Sequence, residues 1–193
     1  MAKKLPIVFE PKEILRKIAK EVPIKDIKGE HIQSIILSMK ETLKHAPDGV
    51  GLAAPQINES LQIFLVSEEA EEIDNTEKRF KANPKLLEDI EENGRPYPTR
   101  DWIYYVFINP KLIKTSKQKI NRAEGCLSVP GVFGNVKRFE KFTVEAYDEH
   151  GKKITRGASR FFARVVQHEY DHLHGTLFID KATGLVHEGG NHS

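Results

Sequence analysis

Cysteine is nearly absent: the 193 residues hold one, Cys126. A lone cysteine cannot close an internal disulfide, and it fits a reducing compartment. Long apolar runs are missing as well, and no stretch approaches the roughly 20 residues that a helical membrane span needs. The first residues, MAKKLPIVFEPKE, have no apolar h-region and no small-residue cleavage site, so no secretory signal is expected there. Neither sign of charge is in large excess. A net charge of +2 gives no electrostatic case for a nucleic-acid partner. Internal repeats and coiled-coil heptads are also lacking. With 30% charged and 39% hydrophobic residues, the composition is that of a globular, soluble, cytoplasmic protein, and the length suits one domain over 1–193.

Against that plain background one stretch stands out, QHEYDHLH at 167–174. It places His168, Glu169 and His172 in the pattern His-Glu-x-x-His. On a helix, positions four apart lie one turn above each other on one face. Two imidazoles so placed can grip one metal ion, and the glutamate between them can handle a proton of bound water. Phe161, Phe162, Val165, Val166, Tyr170 and Leu173 are apolar on a helical period. Ser159 is the expected N-cap, and Gly175 is placed to end the helix. Chance alone yields about 0.03 such matches in a chain of this composition, so the pattern is suggestive but not sufficient. A catalytic site of this kind wants a third protein ligand. The long metalloprotease signature would put it three residues after Gly175, where Phe178 stands.

In chain order, LPIVF at 5–9 reads as a short extended segment, and KEILRKIAK after Pro11 as a helix with Ile14, Leu15 and Ile18 on one face, ended by Pro23. A second amphipathic helix is expected between His31 and His45, stopped by Pro47. GVGLAAPQ at 49–56 carries little side chain and lets backbone approach a substrate or another segment closely. LQIFLVS from Leu61 is a strand, and the acidic residues 68–100 read as a surface insertion with a helix near 84–90. WIYYVFINP at 102–110 is a strand and KLIKTS another strand or edge. The stretch at 139–158 reads as a hairpin turning at Glu149–Gly151. The polar residues 181–193 are expected to be a flexible tail, with His187 and His192 as bystanders.

Three segments line up in order: GVGLAAPQ, EGCLSVP at 124–130 and QHEYDH. Together they resemble the three signature motifs of the peptide deformylase family, G-φ-G-φ-A-A-x-Q, E-G-C-φ-S and H-E-x-x-H, where φ is apolar. The similarity extends over most of residues 8–180. It implies an α+β fold in which antiparallel sheets wrap around a central helix carrying the His-Glu-x-x-His motif. It also implies removal of the formyl group from the N-terminal formyl-methionine of newly synthesised polypeptides, with release of formate. Cys126, His168 and His172 would then hold one divalent metal, iron(II) by the family's habit, with zinc, nickel or cobalt as substitutes. A thiolate and two imidazoles suit such ions rather than magnesium or calcium. The resemblance makes Glu169 the proton-handling residue, and the Gln56 side chain and Leu127 backbone N–H the oxyanion donors. Val50, Gly51, Glu124 and Gly125 would contact the substrate. Glu124 is open between pairing with a basic residue such as Arg138 and standing in solvent. The implied partners are N-formylmethionyl nascent peptides and the ribosome near its exit tunnel, in a bacterial cytoplasm or an organelle matrix. The polar residues after Asp180 are not expected to form the long basic helix that some members carry. Two other readings stay open, a zinc endopeptidase and a non-catalytic peptide-binding module.

Overall fold

A computed structural model describes residues 2–46, 49–82 and 101–188. Among the described residues, three α-helices and eight strands follow in the order α1 (Glu30–Lys44), β1 (Gly51–Ala53), β2 (Ile63–Ser67), α2 (Glu69–Ala82), β3 (Tyr104–Thr115), β4 (Lys119–Cys126), β5 (Val129–Phe139), β6 (Lys141–Tyr147), β7 (Lys153–Ser159), α3 (Arg160–Leu173) and β8 (Thr183–His187). Two antiparallel sheets form, one ordered β1-β2-β3-β6-β7 and the other β4-β5-β8. The α+β expectation therefore holds.

The larger sheet is buried on both faces where β2 runs through it, and the alternation of side chains explains how. Phe64 and Val66 join the core beneath α3, with Phe107, Val144, Phe162 and Val166. Ile63 and Leu65 point the other way, into the core beneath α1, with Ile32, Ile36, Met39 and Leu43. An all-apolar run such as IFLV is what a strand covered on both sides requires. Helix α3 also touches β5 of the smaller sheet, so both sheets meet on it.

Several expectations give way. The helix read over KEILRKIAK shrinks to one 3-10 turn, Glu13–Arg16. Leu15 is buried, but Ile18 is 72% exposed. Beyond the turn the backbone is committed elsewhere: Ala19 N–H donates to Leu173 O at 2.9 Å and Lys20 N–H to Ser60 O at 3.0 Å. A helix of about nine residues is marginal without such competition. The strand read at 102–110 and the one read over KLIKTS are a single strand, β3, running only from Tyr104 to Thr115, with the ladder shifting register between Ile108 and Lys111. Pro110 sits inside that irregularity, where no ladder N–H is needed.

The acidic stretch does not begin as a surface excursion. Its first part is α2, with Ala70, Asp74 and Thr76 buried and a flank packed on α3. The helix expected near 84–90 lies outside the described residues. The tail is not loose as far as His187: β8 pairs with β5, Val132 opposite His187 and Phe133 opposite Val186. Strands β4 and β5 were not read from the sequence, because glycine, asparagine and lysine interrupt their apolar alternation.

Gly175 ends α3 as expected, at φ 68°. A Cβ there would lie 2.4 Å from the Arg16 carbonyl oxygen. Gly175→Ala is expected to cost more than about 2 kcal/mol, from the left-handed backbone and the clash together. The midpoint of urea unfolding, at unchanged slope, checks it.

Candidate active site

Helix α3 sets the site because its sequence makes most of its surface apolar. Phe162, Ala163, Val165, Val166 and Leu173 are buried in the core, and the polar residues on the same helix are carried inward with them. Gln167, Glu169 and His172 are each buried as well. The His168 and His172 rings stand edge to face, with centroids 5.1 Å apart. Cys126 comes from the end of β4, where a two-residue turn of Leu127 and Ser128 leads into β5. Its Sγ lies 3.3 Å from His172 Nε2. One ligand atom from each of Cys126, His168 and His172 lies within 4.8 Å of the others, and this is the one such group among the described residues. Donors around a tetrahedral ion with bonds of about 2.0–2.3 Å stand ~3.3–3.7 Å apart, a spacing that the Cys126–His172 pair already has.

A second layer holds the first. Glu124 is buried, and it is the partner of two guanidinium groups and an imidazole. Arg138 grips it with two hydrogen bonds, Nε to Oε1 at 2.9 Å and Nη2 to Oε2 at 2.8 Å. Arg164 Nη1 donates to Oε1 at 2.6 Å. His168 Nδ1 donates to Oε2 at 3.0 Å, which turns Nε2 toward Cys126. Arg138 also pairs with Asp171, which accepts from Lys181 at 2.7 Å. Burial alone would raise the Glu124 carboxyl, but its bonds to Arg138 and His168 outweigh that and hold it well below the usual carboxylate range. The pairing with Arg138 left open above is thus realised.

The two imidazoles differ. Burial and the nearby charges of His168 and Arg138 push His172 well below its ordinary value, so it is a neutral base. Its Nδ1 has no hydrogen-bond partner among the described residues. Burial opposes a charge on His168 too, but the Cys126 sulfur and Glu124 overcome it and pull the group upward. A cation seated among the same lone pairs competes for them directly.

Glu169 is 3% exposed, and its Oε2 has no hydrogen-bond partner among the described residues. Burial, helped by the charge of Glu124, pushes it up to about 7. Gly51 of β1 lies against it: a Cβ there would stand 2.4 Å from Glu169 Oε1. Gln56 is held in a fixed pose. Its Oε1 accepts the Ala53 N–H at 2.8 Å, and its Nε2 donates to Ser128 Oγ at 3.2 Å and stands 3.7 Å from Cys126 Sγ. Ser128, fully buried, is a residue that sequence reasoning gave no role. Its signal was its place in E-G-C-φ-S. Arg164 was also missed, because a helical arginine gives no sign that it faces inward.

These groups line a cleft of about 450 Å³. Val50, Gly51, Gln56, Glu124, Gly125, Cys126, Leu127, His168 and Glu169 all border it. His172 does not, and approaches the cleft through Cys126. Leu127, Phe133, Phe161 and Val165 make the walls apolar.

A soft thiol, two imidazoles and a proton-accepting carboxylate at a cleft define a class, the metal-assisted hydrolases. Comparison with known proteins narrows it. The sequence model of the polypeptide deformylase family matches residues 4–188, and the chain belongs to that family of metal-dependent enzymes, which remove the N-formyl group from nascent polypeptides. It is 39% identical to a peptide deformylase of Pseudothermotoga lettingae over 93% of this chain and 82% of that one. It is also 39% identical to the chloroplastic peptide deformylase 1A of tomato, Solanum lycopersicum, over 91% of this chain and 56% of that longer one. Among solved structures it superposes on a class I type b peptide deformylase of Acinetobacter baumannii with Met-Ala-Ser bound, at TM-score 0.73 and 29% identity, covering 94% of this chain and 99% of that one.

Two substitutions check the geometry. Gly51→Ala is expected to displace Glu169 and lower kcat about 100-fold or more, since a misplacement of about 1 Å costs that much; single-turnover kinetics at full metal loading measures it. Glu124→Ala is expected to cost about 3–5 kcal/mol, because two buried guanidinium groups lose their partner. In the same variant metal affinity should fall about 10- to 100-fold, as measured by competition with a chelator.

Proposed function

We propose that this chain deformylates N-formylmethionyl peptides at the cleft, with Cys126, His168 and His172 holding one divalent cation. The convergence of those three donors beside a partly unpaired Glu169 is the observation that carries this reading. Iron(II) is the expected ion, with zinc, nickel or cobalt able to replace it. When bound, the cation supplies Lewis acidity, which lowers the pKa of water and draws charge from the formyl oxygen.

The chain's own residues do the rest. The apolar walls take up the methionine side chain and exclude bulk water. Backbone at Val50, Gly51 and Gly125 lies beside the bound peptide. Glu169 accepts a proton from the attacking water and returns it to the departing amine. Its setting suits the task, because a base poised near neutrality both accepts and gives back a proton readily. Gln56 Nε2 and the Leu127 N–H face the developing oxyanion. Gln56 is held by Ala53 and Ser128 before substrate arrives, so little reorganisation is needed when charge appears. The two imidazoles, the base and the thiol act within one catalytic unit over 1–193, in a compartment where formylated chains are made.

The test is release of formate from formyl-Met-Ala-Ser by metal-loaded protein kept anaerobic. Formate at turnover above the metal-free control supports the reading, and its absence ends it. Glu169→Ala should keep its metal and lose turnover, while Cys126→Ala should lose the metal. Loss of metal from the Glu169 variant would contradict the roles given. Since a base must be ionised, kcat/KM should fall along an acidic limb whose upper bound is about 7, the value to which burial raises Glu169. A bound cation favours the carboxylate and moves that limb to lower pH.

A further inference from the structure

Helix α2 meets the rest of the molecule through carboxylates. Glu71, Asp74 and Glu77 recur at three-residue spacing, and residues so spaced share one side of a helix. Each reaches a different element. Glu71 pairs with Arg156 of β7 at 2.7 Å and accepts from the Tyr105 hydroxyl of β3 at 3.0 Å. Glu77 pairs with Arg122 of β4 at 3.4 Å. Asp74 goes to the start of α3, where its Oδ1 accepts the Phe161 N–H at 3.1 Å and its Oδ2 the Phe162 N–H at 3.3 Å.

That contact is a helix cap supplied from another helix. The first N–H groups of an α-helix lack partners within it. Ser159 holds the N-cap position of α3, in extended backbone, but its side chain makes no cap hydrogen bond among the described residues. Asp74 does that work from a position 87 residues earlier. A carboxylate there also faces the positive end of the helix dipole.

The first turn of α3 needs such a restraint. Arg160 has φ 56°, a backbone region that costs a residue with a side chain about 1–2 kcal/mol. The next residue, Phe161, borders two spaces at once. On one side is the substrate cleft, and on the other a second cavity of about 190 Å³ lined by Glu77, Lys81, Arg122 and Phe139. The ring packs against the core beneath α3, but space on both sides leaves it room to shift, so the backbone that carries it also sets its position.

We propose that Asp74 is a positioning residue for deformylation: by capping α3 from α2 it keeps the Phe161 ring in place as a wall of the cleft, and so governs the grip on the apolar side chain beside the formyl group. The proposal rests on the reading of the cleft given above. Asp74 touches none of the reacting atoms and acts through Phe161. The acidic composition of α2 thereby gains a use, since Asp74 is buried against α3 while Glu71 and Glu77 tie the helix to β7 and β4 at the surface.

The test uses metal-loaded protein with the substitutions Asp74→Ala, Asp74→Asn and Phe161→Ala. Formyl-Met-Ala-Ser and formyl-Ala-Ala-Ser are the substrates, and metal content and thermal midpoint are measured alongside. Asp74→Ala is expected to raise KM for the methionyl substrate about three- to thirty-fold, the range that loss of a cap can reach. Its kcat should stay within about twofold and its metal content should not change, because His168, Glu169 and His172 lie about two to three turns further on. The preference for methionine over alanine should shrink with the KM change. Asp74→Asn keeps an acceptor oxygen and should recover part of the loss. In a cycle with Phe161→Ala the effects on that preference should not add, as expected for groups acting through one contact. If both Asp74 variants have unchanged KM and unchanged preference, even with a lower thermal midpoint, the cap serves stability alone and the proposal is overturned. Additive effects in the cycle overturn it as well. Should Asp74→Ala not fold, the near-isosteric Asp74→Asn and the cycle built on it decide. A wild-type protein that releases no formate would instead remove the functional reading itself.

Discussion

A carboxylate sealed from water among two guanidinium groups and an imidazole is the constraint around which this molecule is arranged. Glu124 reaches Arg138 from its own hairpin, and Arg164 and His168 from α3. Such clusters add little net stability, because desolvation offsets most of the attraction. They do forbid alternatives, since any shift of α3 against β4 or β5 would strand a buried charge. The geometry they impose puts Cys126, two residues along the strand, opposite His168 and His172. The smaller sheet and the helix are therefore locked in the register that brings the sulfur to the imidazoles.

Two glutamates of the site, Glu124 on β4 and Glu169 on α3, are given opposite characters. Glu124 is surrounded by donors and stays ionised under all ordinary conditions. Glu169 is as deeply buried, but its Oε2 is left without a donor, and burial pushes it up to about 7. Environments that drive two carboxyl groups apart in this way separate structural from proton-transferring roles. Gly51 contributes by having no side chain, which leaves Glu169 its place at the cleft. Gln56 and Ser128 complete the site with a hydrogen-bond pair that crosses from the β1 turn to the hairpin.

Much of this was legible in the residues. The His-Glu-x-x-His spacing and the apolar period around it foretold a buried helix, α3, and the second amphipathic helix and the strand over IFLVS also formed. The ten residues singled out are brought to one site, nine bordering the cleft and His172 behind Cys126. Other parts were illegible for physical reasons. The first helix did not form because Ala19 and Lys20 give their backbone to distant partners, a tertiary choice that local periodicity cannot report. The acidic composition of α2 suggested solvent, yet Asp74 is buried against a helix end far along the chain. Ser159 had the right side chain and position for a cap, and a remote carboxylate took its place.

By itself the sequence determined the chemistry available: one thiol, two imidazoles a helical turn apart, a glutamate between them and a segment of small side chains, Gly49–Gln56, that could lie close to a substrate. Those are properties of residue type and spacing, written in the chain whether or not it folds. Only the tertiary structure decided that the thiol, some 40 residues before the imidazoles, stands within bonding range of the same point, and which carboxylate would be neutralised by arginines and which left poised. The reason is that burial and electrostatic partnership depend on which distant segments are packed together, and no local pattern encodes that.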